Sequence, residues 1–367
     1  MPPTPFLSTL AVETWDTWFR LRERGQLRDI TIEATWERVA NALAAATPHA
    51  PRVGYQHRLF DAFSAWNLLL DERIIATAGS SAPNWSGDAL CAVLNVASFV
   101  RAPGLRHASF DHARFEEVAA LAVYALEDAG AMCTGGSDPA GRLKIGMIGL
   151  GDALALLGLE YDSEAARRRA AHIAQTLADG CLASSIALAR DRTPRLICDR
   201  AWHDQAVARS HAHALTDAAM RYGLRHASLT AITSQQRLAC FANRVADALD
   251  PLSERACSHA LCRAPDARKA EGYAFAIARQ NGADSSRFLP DPYHSVRAQL
   301  ALRAAVQPWI DERITYPVVV EDRPDAATVA SWGAMATELD LAPLSWRLLS
   351  ESCIKESAAP AVSTVLA

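Results

Sequence analysis

Residues 145–164 read IGMIGLGDALALLGLEYDSE, and this stretch decides the fold that we expect for the chain. Gly158 is typical of a helix C-terminus, because a residue without a Cβ tolerates left-handed backbone. Asp162 or Ser163 can then cap the next helix, and Glu164 in its first turn meets the positive end of the helix dipole. The stretch therefore predicts a helix that stops near Gly158 and a long helix that begins near Glu164.

Apolar residues recur every three to four positions in much of the chain, which is typical of amphipathic helices. Three such stripes consist of Ile32, Trp36, Val39 and Leu43; of Phe115, Val118, Ala122 and Leu126; and of Ile173, Leu177, Cys181 and Leu188. Asp325 can cap a further helix that runs to Leu339. We therefore expect a mainly α fold with a few short strands.

Strand signals are few. Residues 314–321 are the best candidate, and Pro317 within them favours a sheet edge because proline cannot donate to a ladder. Residues 94–100 are a weaker candidate. Segments 131–141, 190–199 and 281–292, each of which contains a proline, are expected to be loops.

Composition limits the class of protein. The chain has 367 residues, of which 50% are hydrophobic and 21% charged, so it can bury a core, and its net charge of −4 does not suggest nucleic-acid binding. Apolar runs are too short for a membrane span, and the N-terminus does not resemble a signal peptide. We expect a cytoplasmic protein that binds neither nucleic acid nor membrane.

The sequence predicts no metal site. The eight cysteines are scattered, and the one cluster, Cys257 with Cys262, lacks two further ligands at paired spacing. His211 and His213 would lie about 200° apart on a helix, so they cannot share a ligand there. We interpret these histidines, with His203 and His226, as surface or capping residues, and Arg167–Arg169 as a solvated helix face.

Two segments carry a more specific pattern. Residues 14–24 read TWDTWFRLRER and are followed by DITIEATWERVA at 29–40; the second segment is the stretch at 145–164. Both resemble segments of the large subunit of ribonucleotide reductases, most closely of the adenosylcobalamin-dependent class. Weaker resemblances follow in the family's order at 60–79, 95–111, 223–232, 304–318 and 330–347. The resemblance places Gly146–Gly151 in a helix, and the spacing of these glycines is not that of a dinucleotide-binding loop.

The resemblance implies a ten-stranded α/β barrel around a finger loop whose cysteine becomes a thiyl radical, but the radical motif, NPCxE, is missing. An ungapped alignment from Asn95 puts the radical cysteine at Ala78 and a reducing cysteine at Ala89, while an alternative match of 72–80 to an earlier turn deletes about half of the barrel. Cys91 lies two positions after Ala89, the position that aligns with the reducing cysteine. Cys353 stands without a partner cysteine in the tail.

The phosphate-binding segment of the family is also altered. Residues 233–239 read TSQQRLA and keep hydroxyl groups, but they have lost the proline and glycine of that loop. The residues that can still contact a ligand there are Thr230, Thr233, Ser234, Gln235 and Arg237.

These observations predict a mainly α, or α+β, fold on a reductase-like helical scaffold with a reduced or incomplete barrel. We expect a helical region over 1–80, a barrel remnant over 81–350 and a flexible tail over 351–367. The predicted function is non-catalytic: binding or assembly as a homodimer or with a partner protein, with a nucleotide-like small molecule as a further ligand and adenosylcobalamin only as the resemblance implies. Two alternatives stay open: an enzyme with new chemistry in the former cleft, and a partial reductase that another chain completes.

Overall fold

A four-stranded sheet lies at the centre of the protein in a computed structural model that describes residues 5–47, 52–81, 83, 85, 89–132, 141–252, 272–283 and 296–348. The strands are β1 (Arg22–Glu23), β2 (Gln26–Leu27), β3 (Leu68–Leu70), β4 (Cys91–Asn95), β5 (Val100–Arg101), β6 (Ser109–Phe110), β7 (Arg142–Ile148), β8 (Ser228–Thr230), β9 (Val318–Val320) and β10 (Trp346–Leu348). The central sheet has the order β3-β4-β7-β8. Strands β4, β7 and β8 are parallel, and β3 is antiparallel to β4.

Helices surround this sheet. They are α1 (Thr9–Thr14), α2 (Ile32–Ala46), α3 (Arg52–Ser64), α4 (Glu72–Thr77), α5 (His112–Ala131), α6 (Leu150–Leu156), α7 (Glu164–Asp191), α8 (Arg200–Ala208), α9 (His213–Tyr222), α10 (Gln236–Phe241), α11 (Tyr273–Gln280), α12 (Val296–Val306) and α13 (Ala326–Glu338). Helix α5 connects β4 to β7, and α5 packs along α7. No helix in the described ranges combines the length and apolar character needed to cross a membrane.

The predicted helices are confirmed. The three apolar stripes lie on α2, α5 and α7, and all of their residues are buried. Ser163 caps α7 by accepting a hydrogen bond from the Ala166 N–H at 3.0 Å, and Asp325 caps α13 through the Thr328 N–H at 2.7 Å. Gly158 follows α6 with φ of +72°, a conformation that favours glycine.

The strand predictions need correction. In place of one strand over 94–100, β4 ends at Asn95 and a 3₁₀ turn, Val96–Phe99, leads to β5. Of the predicted strand at 314–321, only β9 forms, and it pairs in parallel with β10. In both cases the partner strand determines where the pairing ends. A short apolar run in the sequence does not indicate which strand it will pair with.

The interpretation of Gly146–Gly151 as helical is wrong for its first half. Gly146 lies within β7, and α6 begins only after Gly149, whose φ is +72°. A Cβ on Gly146 would lie 2.5 Å from the Ala231 carbonyl oxygen. Glycine is therefore needed in this strand because the chain that leaves β8 passes directly over it.

The described four-stranded sheet does not close into a barrel, and side chains cap backbone groups at its β8 edge and at β9, which belongs to a separate two-stranded sheet. At β8, the Asp311 carboxylate accepts hydrogen bonds from the N–H groups of Leu229 and Thr230, at 2.9 and 3.1 Å. At β9, the Gln299 amide donates to the Val319 carbonyl and accepts from its N–H, at 2.7 and 2.9 Å. These side chains satisfy backbone groups that an incomplete barrel would otherwise expose.

The N-terminal segment joins the core through a buried network. The Asp29 carboxylate accepts hydrogen bonds from Thr35 at 2.8 Å and from the Arg38 guanidinium, and Trp15 donates to Thr35 at 2.9 Å. Arg38 also donates to the Ile75 and Ala78 carbonyls at the end of α4. One hydrophobic core includes residues from 15 to 316, so the N-terminal region and the predicted barrel remnant share it.

The C-terminal part has a second, smaller core. It contains residues of α12, β9, α13 and the segment that precedes β10, with Val318 at its centre. Residues 351–367, which we expect to be a flexible tail, lie outside the described residues.

Candidate functional site

The carboxyl ends of the parallel strands are the first place to look for a site, since ligands of open α/β sheets bind there. Strand β4 ends at Asn95, β7 at Ile148 and β8 at Thr230. The candidate residues Thr233, Ser234, Gln235 and Arg237 follow β8 directly. The sheet topology therefore places the predicted ligand loop at the expected edge.

A segment of the same chain, residues 243–252, crosses this edge. The Gly149 N–H donates to the Ala246 carbonyl at 2.8 Å, and the Asp152 carboxylate accepts from the Ala246 N–H at 2.6 Å. A Cβ on Gly151 would lie 2.5 Å from the Asp250 carbonyl oxygen. The segment thus contacts the start of α6 at backbone distance.

Asp247, on this crossing segment, binds the predicted ligand loop. Its two carboxylate oxygens accept from the Ser234 hydroxyl at 2.5 Å and from the Gln235 N–H at 2.6 Å. The Gln235 side chain donates to the Thr233 hydroxyl at 3.0 Å. Two of the five predicted residues therefore bind one buried carboxylate, and Thr233 is linked to it through Gln235; burial raises the pKa of Asp247.

A second buried carboxylate on the segment, Asp250, pairs with the C-terminal part of the chain. Arg347 of β10 lies 2.5 Å from an Asp250 oxygen and 3.7 Å from Asp247. Burial raises the pKa of Asp250 to about 7 and outweighs the charge of Arg347, while Asp247 adds to the rise. The pKa of Asp152 is likewise raised by burial, to about 6. The edge therefore holds three carboxyl groups that ionise less readily than in water.

The remaining two predicted residues face other partners. The Thr230 hydroxyl accepts from the Asp311 N–H at 2.9 Å and lies in the capped edge of β8. Arg237 forms an ion pair with Glu72 and stacks over Trp18, with 3.9 Å between its guanidinium carbon and the ring centroid. The structure does not bring these two residues to Asp247.

Cys91 does not lie at the carboxyl edge of the sheet. Cys91 is the first residue of β4, at the amino end of that strand, and its thiol donates to Asp71 at 3.4 Å. Burial raises the pKa of Cys91 well above its ordinary value, and the Asp71 charge adds to this. Cys181 is buried on α7, and Cys91, Cys181, Cys198 and Cys240 are all free of disulfides.

Sequence reasoning missed a buried polar cluster at the amino end of β8, and the interpretation of His226 as a surface or capping residue is wrong because its side chain is fully buried there. His226 contacts the Ser185 hydroxyl at 3.1 Å and Glu127 at 3.2 Å, and Arg225 donates to Glu127 at 2.9 Å. The Ser185 oxygen also accepts the Arg225 and His226 N–H groups at 3.1 Å, and Ser185 is fully buried. The side chains of Ser185, His226 and Glu127 contact one another in that order. Ser185 is buried and accepts hydrogen bonds from backbone N–H groups, so it cannot reach a substrate.

Burial favours the neutral ring of His226, whose pKa is lowered. Burial also acts to raise the pKa of Glu127, but the hydrogen bond from His226 and the neighbouring charges, including that of Arg225, lower it to about 2. Nothing in the spacing of Glu127, Ser185 and His226 along the chain signals this cluster, because it forms only when α5, α7 and β8 pack together.

Among the described residues, no group of three or more His, Cys, Asp and Glu side chains could hold a metal ion. His211 contacts Asp179 at 2.5 Å, and His203 lies 3.5 Å from Asp204. The Cys257 and Cys262 pair lies outside the described residues.

Comparison with known proteins gives one family match. A sequence model of the family described as "Ribonucleotide reductase, barrel domain" matches residues 80–260, just under half of the chain. No curated protein matches the sequence. The matched range includes β4, β7, β8 and the segment that crosses their carboxyl ends. Over residues 80–260 the chain is therefore related to the barrel domain of ribonucleotide reductase.

Proposed function

We propose that the protein is a shortened, non-catalytic relative of adenosylcobalamin-dependent ribonucleotide reductases with a binding or assembly role. The main support for the proposal is one observation. The Asp247 carboxylate accepts hydrogen bonds from the Ser234 hydroxyl and the Gln235 N–H, two donors of the former ligand loop. A phosphate group would have to displace a buried carboxylate from these donors. It would also approach Asp250, which repels a phosphate wherever that carboxyl is ionised.

The lack of a radical cysteine supports the same proposal. The aligned positions are Ala78 and Ala89, and no other side chain replaces a thiol in hydrogen abstraction. Ala78 is fully buried, and its carbonyl accepts a hydrogen bond from Arg38. Cys91, the nearest described thiol in sequence, is at the amino end of β4, opposite the loop that follows β8.

The carboxyl edge does not fit the large corrinoid ring of adenosylcobalamin. Residues 243–252 lie at backbone contact distance from Gly149 and Gly151, so the space above the carboxyl end of β7 is occupied by this chain.

An assembly role is supported by exposed apolar side chains beside α8 and α9. Leu196, Ile197, Val207 and Met220 are all exposed, and Ile197 retains 74% of its accessible surface. The candidate strand segments 95–100 and 314–320 have backbone partners within the chain, so they are not free to pair with another molecule. We therefore place association at the α8–α9 surface, through side chains rather than through strand edges.

The test of the non-catalytic proposal is deoxynucleotide formation from ribonucleotides with adenosylcobalamin and a dithiol reductant. We expect no product above the no-enzyme control. Turnover that Cys91→Ser abolishes, and that Cys198→Ser leaves intact as the matched control, would overturn the proposal. Mass spectrometry of co-purifying molecules separates the two roles, since a stoichiometric protein or dimer favours assembly and a nucleotide favours retained binding.

A further inference from the structure

A cationic cluster lies where the start of α5 meets α7, well separated in sequence from the loop after β8. Arg169, His172 and Thr176 lie three and four positions apart on α7 and so share one face of the helix. His112, the first residue of α5, contacts this face. The rings of His112 and His172 stack with 4.0 Å between their centroids.

The hydrogen bonds assign a neutral ring to His112. The Thr176 hydroxyl donates to the His172 carbonyl at 2.9 Å, so it accepts from Nδ1–H of His112 at 2.8 Å. Nε2 of His112 then carries a lone pair, towards which the Arg169 guanidinium donates at 3.4 Å. A guanidinium has only donors, so this contact requires the unprotonated Nε2.

Arg169 consequently keeps an uncompensated charge. Four other arginines near this cluster in sequence have carboxylate partners: Arg101 with Asp111, Arg114 with Glu117, Arg167 with Asp162, and Arg168 with Glu164. Among the described residues, no carboxylate lies within ion-pair distance of Arg169. Asp111, the nearest acid to His112, already binds Arg101 and caps α5 through the Arg114 N–H at 3.2 Å.

The cluster is open to solvent and lies beside the start of a 20-residue helix. His172 is exposed, and Arg169 and His112 are half-buried. The positive end of the α5 dipole adds to the field of Arg169. The site therefore offers a planar guanidinium and two imidazole rings to an anion, a donor set that suits the oxygens of phosphate.

We propose that His112, Arg169 and His172 form a binding site for the dianionic phosphate of a small phosphate monoester. The Arg169 guanidinium donates to the phosphate oxygens. The anion in turn favours the protonated form of the His112 imidazole, so binding is accompanied by proton uptake. This site goes beyond the proposed function and is independent of it, because it uses neither the loop after β8 nor the α8–α9 surface.

The His112 pKa provides a spectroscopic readout. Burial lowers the pKa of His112 to about 4, and the neighbouring His172 and Arg169 contribute by charge repulsion. Bound phosphate would remove that repulsion. We expect an NMR titration of the His112 ring in inorganic phosphate to give a pKa at least about one unit higher than in chloride of equal ionic strength.

The affinity test uses two neighbouring arginines of α7. Arg169→Gln should weaken inorganic phosphate binding about tenfold or more in calorimetry, since it removes a charge-assisted donor. Arg168→Gln, which removes an exposed arginine paired with Glu164, is the matched control and should leave binding unchanged. Adenosine 5′-monophosphate, measured beside inorganic phosphate, reports whether the site accepts an esterified phosphate.

Two results would overturn the proposal. One is a His112 pKa that is the same in phosphate and chloride. The other is equal weakening of phosphate binding by the Arg168 and Arg169 substitutions, which would indicate general attraction of anions to the surface. Binding of inorganic phosphate without binding of the monoester would likewise count against the stated ligand class. Circular dichroism of both variants checks that the fold is retained.

Discussion

Charged partners outweigh burial for the acidic side chain Glu127 at the amino edge of the central sheet, whereas burial outweighs the partners of Asp152 and Asp250 at the carboxyl edge. At the amino edge, Glu127 and Asp128 face Arg192 and Arg225, and the pKa of Glu127 falls to about 2. At the carboxyl edge, Asp152 and Asp250 have pKa values raised to about 6 and about 7, because burial outweighs their partners. The amino edge is electrostatically satisfied, whereas the carboxyl edge carries carboxylates that would be stabilised by further donors.

This difference has a physical explanation. A strand's amino end in parallel sheets mainly supports the fold, while its carboxyl end faces the crevice in which ligands bind. In this protein the crossing segment fills that crevice with its own carboxyl groups. The chain thus retains the polarity of a binding edge although the space is taken by residues 243–252.

The largest expected effect is at the amino edge. Glu127→Gln removes the charge that pairs with Arg225 and Arg192 in a side chain only 8% exposed, so we expect a loss of about 3–5 kcal/mol in the free energy of unfolding. Urea denaturation measures it, with the exposed Glu117→Gln as control. A loss below about 1 kcal/mol would mean that the two edges do not differ as described.

The carboxyl edge should respond to pH in the opposite sense. Because the folded pKa of Asp250 is raised, the folded state holds a proton that the unfolded state releases between about pH 4 and pH 7. Asp250 therefore makes stability fall as pH rises through this window, by up to about 1.4 kcal/mol per pH unit. Glu127, with its lowered pKa, makes stability rise between about pH 2 and pH 4.5 and then stay level.

Asp250→Asn isolates this contribution. At pH 6 the substitution should cost less than about 1 kcal/mol, because the wild-type carboxyl is then mostly protonated. Relative to wild type, the variant should gain stability from pH 4 to pH 7 in urea melts. A stability difference that is constant across this range would contradict the raised pKa.

The contact between the crossing segment and α6 can be tested by adding a methyl group at Gly151. Gly151→Ala places a methyl group 2.5 Å from the Asp250 carbonyl oxygen and 3.1 Å from the Leu252 nitrogen, so we expect a loss of about 1–3 kcal/mol in thermal or urea unfolding. Gly54→Ala, in α3 with no atom near the added group, should be neutral or stabilising. Equal behaviour of both variants would mean that the segment lies further from α6.

The smallest effect on stability concerns association. Ile197→Glu, on the exposed α8–α9 surface, should change the free energy of unfolding by less than about 0.5 kcal/mol. It should nevertheless convert a dimer to monomers in analytical ultracentrifugation at micromolar concentration. Val319→Lys, at the edge that Gln299 caps, should leave a dimer intact. A wild-type monomer without a partner in pull-down experiments would refute the assembly role.

The sequence predicted those features of the structure that depend on residues close together in the chain. Ser163 and Asp325 were recognised as helix caps because a cap acts within four residues, and the α2, α5 and α7 stripes follow from helical periodicity. The strand at 94–100 failed because its end is set by pairing of β5 with β6, which no single segment encodes.

The candidate site shows the same limit. Ser234 and Gln235 were singled out by resemblance, but their partner Asp247 and the opposing Arg347 gave no signal in sequence spacing. The interaction depends on a segment that returns over the strand ends after α10. Tertiary packing therefore determines which polar residues are in contact, and residue type determines which hydrogen bond or ion pair they form.

Asp311 has a consequence for solubility. Its carboxylate occupies the Leu229 and Thr230 N–H groups, so β8 offers no row of free donors to a strand from another molecule. Loss of that carboxylate would leave both N–H groups without their partner at the free edge of the described sheet. One acidic side chain thus lowers the tendency of this edge to pair with another chain.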